Sequence, residues 1–508
     1  MAAAVSVVVM AVPLAYLIIR VIGAGPAAIV ETLVRPRTLE TALTSVTLVI
    51  LVVGVALILA IPTAVLIART DVPGSRFWWV VTALPLAVPS YVAAYTWIAE
   101  FPGMSGIWAA TLVMALCTFP YISIPLAISL RRIDAGYEEV ARSLGTSPVR
   151  ALTRVTLPIV WPAGAAGALL VGLYTLAEFG TVAIFRVDAF TRVIYASYRA
   201  SFDRVSAAVL AILLVILALL LVWVEARVRG RARRWRVGTG TSRPAPPAHL
   251  EGWRKGAALT WLVAVFVLSL GVPAASLIRQ LAISRNASWD PIEMMGAIVG
   301  SITASGIGAL LALILALPVA ALAARYVTRN VRWLETSAFL GQALPGVVVG
   351  LSLVFLTLAV LPSMYQTIVT VALAYAILFT PKALGSARSA IAAVPPGMEQ
   401  VARSLGRGPL RAWWEVTGRL AWPGIAAGAL LVLLTAIKEL PATLMLRPTG
   451  FNTLATELWT RTEVGSFGAA APYALGLVLL AAVPAWLLGR WMGAPARVQE
   501  DATVEVRV

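Results

Sequence analysis

The feature that most constrains this chain is the recurrence, from one end to the other, of apolar runs of about 18 to 29 residues with few charges inside them. As a helix rising about 1.5 Å per residue, such a run crosses about 30 Å of hydrocarbon, and in lipid a helix satisfies its own backbone donors and acceptors. Twelve runs read as spans, at 5–22, 43–67, 77–99, 107–130, 155–176, 205–224, 257–278, 298–324, 333–361, 368–391, 420–437 and 469–488. With 60% of its 508 residues hydrophobic, 12% charged and a mean hydropathy of +0.89, the chain is not expected to be a soluble globule. The expected fold is an all-α polytopic membrane protein. The first run lacks a basic leader and a small-residue cleavage site, so it reads as a helix and not as a signal. The single cysteine, Cys117, lies inside the fourth run and reads as a small packing residue.

A net charge of +17 would suggest nucleic acid in a soluble chain, but here the basic residues flank spans. With the amino terminus inside, 28 Lys and Arg fall on the cytoplasmic side, 11 outside, and Lys438 at a helix end. The positive-inside rule then gives the orientation, with both termini expected in the cytoplasm, and the chain is expected in a bacterial cell (inner) membrane. The cluster Arg227, Arg229, Arg231, Arg233, Arg234 and Arg236 is read as contact with membrane lipid, not nucleic acid.

The chain also repeats itself. Residues 138–145, EEVARSLG, recur as EQVARSLG at 399–406, with one difference in eight and an offset of 261. That offset carries Pro120 onto Pro381, Gly136 onto Gly397, Trp161 and Pro162 onto Trp422 and Pro423, and Glu178 onto Glu439. Ala83-Leu84-Pro85 aligns with Ala343-Leu344-Pro345 at 260, which reads as a single-residue slip. Two homologous six-helix halves follow: 1–228, a cytoplasmic linker at 229–254, and 255–508. An even number of spans per half makes the repeats parallel, with a pathway between them. The linker core at 238–247 has no periodicity, and its neighbour His249, the only histidine, reads as a polar linker residue.

Each repeated segment lies between the fourth and fifth spans of its half, in loops 134–150 and 395–411. The pattern predicts a short helix: Glu138, Glu139 and Glu399 complement the positive end of its dipole, and Gly145 and Gly406 suit its left-handed stop. Tyr137, Val140, Ala141 and Leu144 fall at spacings of three and four, as do Met398, Val401, Ala402 and Leu405. Two turns are not stable alone, so an apolar face of this size needs a partner.

With these residues in view the chain resembles the permeases of type I ABC importers. Their signature, Glu-x-Ala with Gly six residues after the acid and Leu-Pro about a dozen later, fits Glu139-Val140-Ala141, Gly145 and Leu157-Pro158. The second copy departs: Gln400 replaces the acid, leaving Glu399 one residue earlier, and Gly418-Arg419 stands in place of Leu-Pro. Unequal grip on the partner is therefore expected. The resemblance implies that Glu138, Glu139, Ala141, Gly145, Glu399, Gln400, Ala402 and Gly406 dock a cytoplasmic ABC ATPase, a homodimer that uses ATP and Mg. No phosphate-binding Gly-x-x-x-x-Gly-Lys loop occurs here, so the chain is expected to be no enzyme and to bind no cofactor. A periplasmic substrate-binding protein is the other implied partner, docking on loops that carry Arg35, Arg37, Arg186, Arg192, Arg199 and Arg447. The stretch from Lys438 to Pro448, with its counterpart from Ala177, resembles the iron(III) permease branch.

Glu178 and Glu439, with Lys438, are the candidate pathway or gate residues, because a carboxylate within a span is costly unless it faces a cavity or a partner. One reading has the two glutamates lining the path; the other has them in salt bridges with Lys438 or an arginine. The alternatives for function are the same machine carrying thiamine, a polyamine, a phosphonate or an oxyanion, and an ion-coupled secondary transporter.

Overall fold

The computed structural model describes residues 1–201, 203–230, 246–284 and 290–492. These are almost wholly helical; among them the one β-type contact is an isolated bridge between Thr70 and Ala248. Among the described residues ten helices are long and apolar enough to cross a membrane. The two remaining expected spans are broken. Residues 77–99 fall on Ser75–Ala87 and Ser90–Glu100, which meet at 91°, and residues 333–361 divide between Arg329–Phe339 and the 15-residue Gly346–Val360.

The breaks have one cause. Val88 precedes Pro89 and Leu344 precedes Pro345, and both take extended backbone (ψ 122° and 120°) after a 3₁₀ turn. A proline disfavours helical conformation in the residue before it and supplies no N–H of its own. The structure therefore pairs Pro89 with Pro345, and Arg69 with Arg325 at the ends of the preceding helices, an offset of 256. The alignment of Pro85 with Pro345 is thus replaced. The register returns to about 261 because Gly346–Val360 has 15 residues where its counterpart Ser90–Glu100 has 11.

The halves exchange their leading helices. In Ala2–Gly23, Ala3 and Met10 belong to a buried cluster with Ala309, Ala312 and Ala316 of the second half. Reciprocally, Ala258 and Leu262 cluster with Ala64, Ile67 and Leu126. Trp261 Nε1 donates to Thr63 Oγ1 at 3.1 Å, and Ser276 Oγ to the Thr96 carbonyl at 2.8 Å. Helix contacts elsewhere run along small residues: Ala56, Ala60 and Ala64 on Pro36–Arg69, and Ala312, Ala316 and Ala320 on Pro291–Arg325, are fully buried. In lipid, where tails are as apolar as leucine, close approach of small residues replaces hydrophobic drive.

The basic residues from Arg231 to Arg236 and linker residues 238–245 lie outside the described residues. The far end of the linker returns to the first half. Ala248 N donates to the Arg69 carbonyl at 2.7 Å, Leu250 N to Asp71 Oδ1 at 2.9 Å, and His249 Nδ1 contacts Asp71 Oδ2. The Leu250 N–H and, behind it, His249 hold the Asp71 carboxyl below its usual range. The expected inert linker histidine therefore has a local partner.

Candidate functional site

The two repeated segments form the helices Gly136–Ser143 and Pro396–Ser404. Both end in the same way. Gly145 and Gly406 each take φ +83°, with Gly145 N bonding the Arg142 carbonyl at 3.0 Å and Thr146 N the Ala141 carbonyl at 3.1 Å. The second copy repeats these bonds, Gly406 to Arg403 at 3.0 Å and Arg407 to Ala402 at 3.2 Å. This is the six-to-one and five-to-two closure that needs a left-handed residue, hence glycine. A Cβ on either glycine would meet nothing within 4 Å, so the requirement is conformational and not steric.

The apolar faces divide. Tyr137 packs on its own bundle, and Ala141 and Ala402 are half-buried. Val140 and Leu144 are 60% and 80% exposed, and Val401 and Leu405 61% and 77%. Glu139 and Gln400 are exposed, and among the described residues neither side chain makes a hydrogen bond or ion pair. The acids that hold the helices lie one residue earlier. Glu138 accepts from Arg69 Nη2 at 2.6 Å and from Thr156 Oγ1 at 2.5 Å. Glu399 accepts from Arg325 Nη2 at 2.7 Å and from Thr417 Oγ1. Arg325 also bonds the Val394 carbonyl at 2.7 Å, as Arg69 reaches that of Leu130 at 3.5 Å. The substitution at Gln400 thus leaves the anchor intact in both halves.

Sequence reading missed the four anchoring partners. Thr156 and Thr417 were visible, since both lie 18 residues after their acid. Arg69 and Arg325 were hidden by the change of offset.

Each anchor sits at the root of a long helix. Pro148–Ala177 and Pro409–Ala436 start beside the two repeated helices, through a π-helical turn at Leu152–Thr156 and Trp413–Gly418. At their far ends stand Glu178 and Glu439, 9% and 7% exposed. Neither forms an ion pair among the described residues, so the expected salt bridge is corrected. Glu178 Oε1 accepts from Thr181 N at 3.0 Å. Glu439 accepts from Ala442 N at 2.8 Å, Thr443 N at 3.0 Å and Thr443 Oγ1 at 2.6 Å. Both carboxylates thus hold the first turns of the short helices Gly180–Ile184 and Pro441–Leu446, whose free N–H groups favour an anion. Lys438 instead latches the halves together: its Nζ donates to the Leu86 carbonyl at 3.2 Å, and its own carbonyl accepts from Tyr91 Oη at 3.2 Å.

Beyond these short helices, at the end of the bundle away from Gly136–Ser143 and Pro396–Ser404, a cavity of about 970 Å³ opens between the halves. Phe179, its ring tilted against that of Trp459 with centroids 5.2 Å apart, and Leu444 form part of its wall. Arg186, Arg192, Arg199 and Arg447 of the expected loop arginines line it, while Arg35 and Arg37 line a separate one.

Comparison with known proteins accounts for this twofold arrangement. The family described as binding-protein-dependent transport system inner membrane component matches twice, at residues 60–234 and 308–490. An Fe(3+)-transport system permease protein, FbpB 2 of Haemophilus influenzae, is 34% identical over 94% of this chain and 95% of its own length. A molybdate/tungstate permease of Thermococcus kodakarensis is 28% identical over 31% of the chain and 64% of itself. A putative 2-aminoethylphosphonate permease of Salmonella choleraesuis is 27% identical over 41% and 77%. With two copies of the family's domain and a full-length relative, the chain belongs to the binding-protein-dependent transport system inner membrane components, a membrane translocation subunit and not an enzyme.

Proposed function

We propose that this chain is the permease of an ATP-driven importer that receives ferric iron from a periplasmic binding protein and releases it to the cytoplasm. The carrying observation is the pair of matched short helices, capped and anchored alike, that leave Val140 and Leu144, and Val401 and Leu405, without an apolar partner. A homodimeric ABC ATPase offers two like surfaces for two helices of like shape, of which the second carries Gln400 where the first carries Glu139. Covering one such leucine contributes about 1.5–3 kcal/mol, enough for four side chains to hold a partner. ATP and Mg act on that ATPase, and this chain needs no cofactor. Orientation follows the basic residues, with docking helices and both termini cytoplasmic and lipid around the exposed spans.

Movement of the docked helices pulls on Glu138 and Glu399 and through them on Arg69, Arg325, Thr156 and Thr417. The spans that begin at Pro148 and Pro409 pass the displacement to Glu178 and Glu439, which hold the short helices between the halves. Iron as the cargo rests on the full-length likeness to the Haemophilus permease. The test is uptake of radiolabelled iron into proteoliposomes holding the permease, its ATPase and its binding protein. Uptake that requires both ATP and the binding protein is expected; uptake driven by an ion gradient without ATP overturns the reading.

A further inference from the structure

The geometry points to an oxyanion site in the cavity between the halves, so that cargo enters this permease as an anion: a free oxyanion, or a ferric ion inside an oxyanion ligand shell. The inference rests on the importer reading above and specifies what its outer cavity recognises.

The walls are cationic. Four guanidinium groups, Arg186, Arg192, Arg199 and Arg447, line the cavity with a single carboxylate among the described residues, Glu463. Arg192 pairs with Asp188, and Arg447 donates to Asn452 Oδ1 at 2.5 Å. Among the described residues Arg186 and Arg199 pair with no carboxylate. Arg186 also holds φ +57°, one of two non-glycine residues described with a positive φ. That conformation is strained for a residue with a side chain and persists where the surroundings fix it. Glu457, behind the wall, already pairs with Arg461 at 3.2 Å.

The same sign continues inward. Lys438 donates to a carbonyl, and Lys382 lies over the Phe379 ring at 5.2 Å; neither forms an ion pair among the described residues. Cations at membrane depth are costly and mark ion paths. The carboxylates that would suit a naked ferric ion, Glu178 and Glu439, are occupied by backbone N–H and threonine donors. A bare trivalent cation would meet repulsion and few free oxygen ligands. An oxyanion would meet guanidinium forks, which match carboxylate and phosphate geometry. The cavity is also wide enough: ligand sites run to about 300–1,000 Å³.

The test is equilibrium binding to the full-length permease in neutral-lipid nanodiscs, with radiolabelled inorganic phosphate, ferric citrate and, as an oxygen-free trivalent cation, hexaamminecobalt(III). Saturable binding of phosphate or ferric citrate is expected, with no binding of the cobalt complex. The double substitution Arg199→Gln, Arg447→Gln should weaken anion binding tenfold or more, and the double substitution Arg199→Lys, Arg447→Lys should keep most of it. Folding is checked by the gel-filtration profile of each variant. Ferric citrate binding assigns the anion to the iron shell. Phosphate binding without ferric citrate upholds the site and makes a free oxyanion the cargo. Binding of neither anion, anion binding unchanged by neutralisation, or tighter binding of the cobalt complex overturns the inference. ATP- and binding-protein-dependent iron uptake that survives any of these last results would leave the importer reading standing while this one falls.

Discussion

Replacing Arg325 with Gln tests how the docking helix of the second half is held. The guanidinium donates to the Glu399 carboxylate at 2.7 Å, to the Val394 carbonyl at 2.7 Å and to Thr417 Oγ1 at 3.1 Å. Its side chain is 15% exposed and that of Glu399 23%, so water replaces these bonds only in part. A hydrogen bond to a charged group contributes about 1.5–3 kcal/mol, and partial exposure draws the value toward the lower end. A loss of about 2 kcal/mol in the placed position of the helix corresponds to about a 30-fold fall in that equilibrium. Transport should fall in proportion while the ATPase still hydrolyses ATP by itself, so the readout is iron taken up per ATP consumed in proteoliposomes. Arg69→Gln should behave alike in the first half. Glu139→Gln and Gln400→Glu, at exposed positions without partners, should change the ratio less than twofold. If instead Glu139→Gln uncouples transport and Glu138→Gln does not, the anchor assignment is wrong and the motif acid acts directly on the ATPase.

Gly145→Ala and Gly406→Ala should each cost about 1–2 kcal/mol through the left-handed conformation alone, lowering ATPase affinity measured by pull-down titration about tenfold with no change in permease melting. Gly167→Ala places a Cβ 2.3 Å from the Tyr121 carbonyl and should lower the melting temperature in detergent, whereas Gly164→Ala, with its nearest contact at 3.5 Å, should not. Because the Asp71 carboxyl sits below its usual range when folded, the linker clip is at full strength above the ordinary aspartate pKa and is lost as pH falls through the lowered value. Distances between spin labels at residues 73 and 252 should therefore stay fixed from pH 7 to 5 and lengthen only in stronger acid; lengthening already at pH 5 would refute the clip.

Much of the architecture was legible because it rests on local chemistry. Apolar length dictates helices in lipid, and the repeated Glu-x-Val-Ala-Arg-Ser-Leu-Gly pattern dictates a short capped helix with an unmet apolar face. The left-handed glycines at 145 and 406 were readable for the same reason: a helix stop is decided within about six residues. The broken spans were not legible, because residues 77–99 and 333–361 are apolar enough to pass as continuous while Pro89 and Pro345 decide the bend.

What the sequence by itself determined is the membrane as solvent, the duplication and the place of the two short repeated helices, all properties of composition, periodicity and repeat. Only the tertiary structure decided which acid holds each helix, because Arg69 and Arg325 approach Glu138 and Glu399 from 69 and 74 residues away. It also decided that Glu178 and Glu439 hold helix ends and not lysine. A carboxylate within reach of both an ammonium and a helix N-terminus takes whichever the backbone aims at it, and that aim is set by the packing of two halves that have exchanged their first helices.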